Sequence, residues 1–118
     1  MDTFLIIDDN AHFRDQAREL LEADGYVVVG EAADGSSGLR AARSLRPDVI
    51  LLDIGLPDMD GFEVVRCLAD EGLPTRIVLT SSREAAAYGR RLAICPVLGF
   101  IAKDELSGSS IRALADPT

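Results

Sequence analysis

Five places in the chain end an apolar run on a side chain that can do chemistry. Asp8 and Asp9 follow Phe4 to Ile7, Asp53 follows Val49 to Leu52, Thr80 and Ser81 follow Ile77 to Leu79, and Lys103 follows Leu98 to Ala102. Short apolar runs with no polar interruption are the pattern of strands buried on both faces, as in the middle of a parallel sheet. Ligands of open α/β sheets bind beyond the carboxyl ends of such strands, where loops and helix starts leave groups free to converge. Three carboxylates gathered there would raise one another's pKa unless a cation or an ammonium group stood among them. The set is therefore three acids, a hydroxyl and a lysine, and Lys103 is the only lysine among the twelve basic residues. Taken singly, the Asp8-Asp9 pair also suits the cap of a helix start, and Lys103 a solvated surface position.

These groups meet only if the intervening elements place their strands side by side. Asn10 caps a helix with Phe13, Ala17, Leu20 and Leu21 on its inner face, stopped at Gly25. A second strand, Tyr26 to Gly30, leads through a turn at Asp34, Gly35 and Ser36 to a helix marked by Leu39, Ala42 and Leu45, which ends before Pro47. Phe62, Val65, Leu68 and Ala69 give the third helix its inner face, with Gly72 and Pro74 closing it. Ser81 and Glu84 stand at capping-box spacing before a fourth helix whose inner face is Ala85, Tyr88 and Leu92. That helix is soft, because its alanines pack little and Gly89 in its interior costs about 1 kcal/mol relative to Ala. Ser107 to Ala115 forms a short fifth helix. The alternation predicts an α/β fold: a doubly wound, five-stranded parallel sheet in the order 2-1-3-4-5 with helices on both faces. In that order the first and third strands flank the point where the winding reverses, so Asp8, Asp9 and Asp53 share one crevice.

A length of 118 residues predicts one domain over 1–118, with no effector or DNA-binding domain in the chain. The net charge of −8 speaks against a nucleic-acid surface. No apolar run reaches the ~18 residues of a membrane span, and the first residues lack a signal-peptide pattern, so a cytoplasmic location is expected. Cys67 and Cys95 show no metal-ligand spacing and read as small apolar residues in a reducing compartment. His12, the one histidine, reads as a surface residue.

The Asp8-Asp9 pair, the stretch LDIGLPDMDG around Asp53, the Thr80-Ser81 step and Lys103 in GFIAKDEL together resemble the receiver domain of a bacterial two-component response regulator, and the resemblance covers essentially the whole chain. It implies a flavodoxin-like fold and a phosphorylation-controlled signalling switch. Asp53 would accept a phosphoryl group from a sensor histidine kinase. Mg2+ would be held by Asp9 and Asp53 directly, by the Gly55 carbonyl and by Asp8 through water, since this ion takes oxygen ligands and keeps some of its waters. Lys103 would stabilise the transferring group. The hydroxyl of Thr80, with Ser81 as the alternative, would bond the phosphoryl oxygens, and Phe100 sits where the family carries its switch aromatic, although by residue type alone it is a core aromatic.

The resemblance also implies an output surface on the fourth helix, fifth strand and fifth helix. That surface would serve a downstream effector or phosphotransfer protein, or a second copy of the chain. No enzymatic activity is expected beyond self-catalysed phosphorylation and dephosphorylation. Gly55 and Ser82 occupy the positions that tune phosphate lifetime, and both are small, which points to a short-lived phosphate. Asp104 stands where many receivers carry proline, so no cis peptide is expected after Lys103. Two other readings fit parts of the pattern. One is a receiver-like binding module that is never phosphorylated. The other is a Mg-dependent aspartyl-phosphate phosphatase, which needs a second acid where this chain has Gly55.

Overall fold

Residues 2–117 are described by a computed structural model. Strands β1 (Thr3–Ile7), β2 (Val27–Ala32), β3 (Val49–Asp53), β4 (Arg76–Ser81) and β5 (Gly99–Ala102) form one parallel sheet. Its order is β2-β1-β3-β4-β5, as the alternation of elements predicts. Helices α1 (Ala11–Ala23), α2 (Gly35–Leu45), α3 (Gly61–Asp70), α4 (Arg90–Ala93) and α5 (Gly108–Ala115) lie in the connections and at the end.

The two-residue period of a strand divides the core into two layers. Phe4, Ile6, Val49, Leu51 and Val78 face α1 and α5, where they meet Phe13, Leu21 and Ile111. Leu5, Ile7, Ile50, Leu52 and Leu79 face α2 and α3, where they meet Leu39, Ala42, Val64 and Leu68. Val49 to Leu52 are all buried, each side chain contributing about 2 kcal/mol by leaving water. Side-chain caps start four of the helices. Asn10, Asp34 and Asp60 accept from Phe13, Ser37 and Glu63 backbone N–H groups, and Ser107 forms a capping box with Ser110. Each such cap is worth about 1 kcal/mol.

Several boundaries differ from the sequence reading. Strand β2 starts at Val27 and runs on to Ala32, because it pairs with β1 as far as Ile7 after a register shift that passes over Val29. Gly35 opens α2 instead of sitting in a turn, since Asp34 supplies the cap. Leu45 is 43 % exposed at the end of α2, where its side chain leans over Gly30. In α3 the third buried position is Val64, while Ala69 faces solvent.

The segment after β4 departs furthest from expectation. A single 3₁₀ turn over Ala85–Ala87 is followed by Gly89 at φ +53° and by only one turn of helix, α4. Glycine adopts that left-handed conformation without steric cost and so separates the two pieces. The capping box does not form: Ser81 remains in β4, and Glu84 at the start of the 3₁₀ turn makes no side-chain cap. Ala85 is exposed and only Tyr88 and Leu92 are half-buried.

Candidate functional site

The carboxyl ends of β1 and β3 lie side by side, and Asp8, Asp9 and Asp53 each present a carboxylate oxygen to one crevice, all within 4.8 Å of one another. Asp8 continues the face of Phe4 and Ile6, and Asp53 that of Val49 and Leu51, so both side chains lie on the α1 and α5 side of the sheet. Asp8 and Asp53 are buried, at 1 % and 5 % exposure, while Asp9 is exposed. The Asp8 side chain accepts from the Asn10 N–H at 2.8 Å, and the Arg14 guanidinium donates to the Asp8 carbonyl at 2.6 Å. Sequence reasoning passed over Arg14, which the helical period of α1 alone places only on a solvent-side position.

Lys103 follows β5 directly and reaches back across β4 to the crevice. Its Nζ stands 2.7 Å from Asp8 Oδ2 and 3.5 Å from Asp53 Oδ2. It also lies 4.5 Å from the centre of the Phe13 ring, whose negative face favours an ammonium. Burial, and then the Asp8 carboxylate, push the Asp53 carboxyl above the usual aspartate range; the Lys103 ammonium and the Gly55 N–H, 3.2 Å from Asp53 Oδ1, pull the other way. The crevice is thus short of positive charge.

The two candidate hydroxyls at the end of β4 face opposite ways. Thr80 pairs in register with Asp53 and continues the face of Val78, toward the crevice. It is fully buried, and its Oγ1 has no hydrogen-bond partner. Ser81 turns to the other face, where its Oγ hydrogen-bonds Tyr88 Oη and accepts from the Arg83 N–H at 3.0 Å. Phe100 is half-buried on that second face, its ring centre 6.1 Å from that of Tyr88. The space into which Phe100 would turn is therefore taken by Tyr88, a residue that the sequence pattern placed only on a helix face. Ser82 is exposed, and the 103–104 peptide is trans.

The remaining candidates lie apart from this chemistry. His12 is exposed in the first turn of α1. Cys67 and Cys95 are free and half-buried in the layer beneath α3 and α4.

Three carboxylates, an ammonium and a buried unpartnered hydroxyl at the strand ends match a known family, since the model of the response regulator receiver domain matches residues 4–114. The chain belongs to the response regulator receiver family. Among curated relatives, this receiver is 39 % identical over 101 residues to the transcription regulator BvgA of Bordetella pertussis, covering 86 % of the chain and 48 % of BvgA. It is 43 % identical over 105 residues to a protein-glutamate methylesterase/protein-glutamine glutaminase of Anaeromyxobacter dehalogenans, covering 88 % of the chain and 30 % of that protein. The receiver thus spans half or less of these relatives. Among solved structures, the receiver domain of the Mycobacterium tuberculosis response regulator NarL superposes with a TM-score of 0.89 at 30 % identity, covering 99 % of this chain and 98 % of that one. Among the described residues, no helix is long and apolar enough to cross a membrane.

Proposed function

We propose that Asp53 accepts a phosphoryl group from the phosphohistidine of a sensor histidine kinase, which makes the receiver a phosphorylation-controlled switch. The observation that carries this reading is the buried Thr80 hydroxyl, unpartnered and in register with Asp53, with the Lys103 ammonium 3.5 Å from the Asp53 carboxylate. An Asp53 oxygen attacks phosphorus, the P–N bond to the kinase imidazole breaks, and the imidazole leaves with its bonding pair and takes up a proton. The product is an acyl phosphate on Asp53.

The donor set suits a hard divalent cation, because carboxylate oxygens from Asp8, Asp9 and Asp53 converge in a crevice short of positive charge. Asp9 and Asp53 would hold Mg2+ directly, with the Gly55 carbonyl, and Asp8 would hold it through water. When bound, the ion neutralises charge on the transferring group. Lys103 steadies the same charge from the other side. The Thr80 hydroxyl donates to a phosphoryl oxygen, satisfying a group that otherwise stays buried without a partner.

Output follows as a population shift between two packings of the β4 end, favoured by the new contacts to the phosphoryl group. The surface of α4, β5 and α5 would pass the change, with any turn of Phe100, to a downstream effector, a phosphotransfer protein or a second copy of the chain. Intact mass after incubation with Mg2+ and acetyl phosphate tests the chemistry. One acid-labile phosphoryl gained by the wild type and none by Asp53→Asn is the expected result. No gain by either would leave a receiver-like binding module.

A further inference from the structure

The carboxyl end of β4 carries two hydroxyls in sequence, and they are held in opposite ways. Thr80 Oγ1 has no partner, whereas Ser81 Oγ is tied to Tyr88 Oη and to the Arg83 N–H. Tyr88 lies outside the sheet, beyond the 3₁₀ turn, and its ring is wedged between two other aromatics. Its centre is 5.8 Å from that of Phe62 on α3 and 6.1 Å from that of Phe100 on β5. Phe62 in turn lies under the Arg91 guanidinium, 4.4 Å from the ring centre, and Arg91 pairs with the α3 cap Asp60 at 2.6 Å. The segment between β4 and β5 has few other anchors. Its three alanines are exposed, and Gly89 stands at φ +53° with open space around it.

We infer that Tyr88, through Ser81, is a positioning residue for the Thr80 hydroxyl and the side chain that carries phosphorylation of Asp53 to the α3–α4 surface. The inference rests on the phosphoacceptor reading of Asp53. Thr80 and Ser81 share a peptide plane, so drawing Thr80 toward a phosphoryl group displaces Ser81 and breaks its bond to Tyr88. Phe100 has no hydroxyl with which to join β4, and it cannot turn inward while the Tyr88 ring occupies that space. Release of Tyr88 unwedges Phe62 and Phe100 together, with Gly89 as the pivot. The surface remodelled includes the groove lined by Phe62, Arg66, Arg91, Ile94 and Cys95, on whose rim Ile94 is 74 % exposed.

Amide exchange over residues 82–97, read by mass spectrometry on the wild type and on Tyr88→Phe with and without acetyl phosphate and Mg2+, tests the inference. In the wild type, phosphorylation speeds exchange of this segment about tenfold, the effect of losing one buried hydrogen bond. Tyr88→Phe takes up the same phosphoryl mass but exchanges fast from the outset, and phosphorylation adds nothing further. A merely structural tyrosine would leave the phosphorylation-dependent difference intact in the variant, and that result overturns the inference. A second reading uses Tyr26→Phe, in which Tyr88 is the only tyrosine of a chain without tryptophan, so its emission changes in step with the mass gain. A full mass gain with unchanged emission and exchange also overturns the inference. No mass gain in the wild type overturns the phosphoacceptor reading itself.

Discussion

The Lys103 ammonium stands 2.7 Å from Asp8 Oδ2, closer than its 3.5 Å to the proposed acceptor Asp53. Asp8 is 1 % exposed, so Lys103 is what keeps its charge tolerable inside the protein. Removing one partner of such a pair leaves an uncompensated buried charge, which is far costlier than losing a surface ion pair. Lys103→Met should therefore destabilise the divalent-free protein by about 3 kcal/mol in urea unfolding. It should also slow phosphoryl uptake from acetyl phosphate. A change near zero would mean that water already solvates Asp8.

Asp53 is expected to show the opposite sign. Its carboxyl is pushed up by burial and by Asp8, so the ionised form is disfavoured in the folded chain. A raised folded-state pKa gives stability that is complete below the ordinary aspartate value and is lost as pH rises through the folded one. At neutral pH that stability is gone, and Asp53→Asn should melt higher than the wild type without divalent cation. The rise is roughly 4–8 °C for each kcal/mol recovered.

Mg2+ should close that gap. An ion bound only by the folded state stabilises it by mass action, about 2.7 kcal/mol at a hundredfold excess over Kd. Thermal melts should show the wild type rising steeply with Mg2+ and Asp9→Ala or Asp53→Asn rising little. Equal shifts in all three proteins would place the ion elsewhere.

Gly61 opens α3 directly behind the acceptor loop. A Cβ there would meet Ile54 Cα at 2.8 Å and the Asp53 carbonyl oxygen at 2.9 Å, both backbone atoms that cannot swing aside. Gly61→Ala should cost about 1–3 kcal/mol by overpacking, and it should lower phosphoryl uptake because the strain falls on Asp53 itself.

Asp58 ties the same loop to α2. It accepts from the Gly35 and Ser36 N–H groups at 2.7 and 2.9 Å, and those bonds hold its carboxyl below the usual aspartate range. A depressed folded-state pKa gives stability that is present above the ordinary value and is lost as pH falls through the folded one. The wild type should therefore lose stability on acidification below about pH 4, and Asp58→Asn should flatten that limb of the curve. An unchanged acid limb would assign it to other carboxylates.

Much of the site was legible because it rests on short-range patterns. The runs Phe4 to Ile7 and Val49 to Leu52 have no polar break, so they could only be buried strands, and whatever follows them had to emerge at one edge of the sheet. The segment after β4 was misread for the converse reason. Ser81 and Glu84 have capping-box spacing, but Ser81 is taken by the ladder of β4 and by Tyr88, seven residues away. Local spacing cannot register that competition.

The sequence by itself determined the strand order and the gathering of Asp8, Asp9, Asp53 and Lys103, because a period of two and the alternation of strands with helices are properties of the chain alone. Tertiary structure decided which hydroxyl faces the acceptor, that Lys103 leans toward Asp8, and that Tyr88 fills the space beside Phe100. Those outcomes depend on register, burial and competing partners, and such terms exist only once distant segments have packed together.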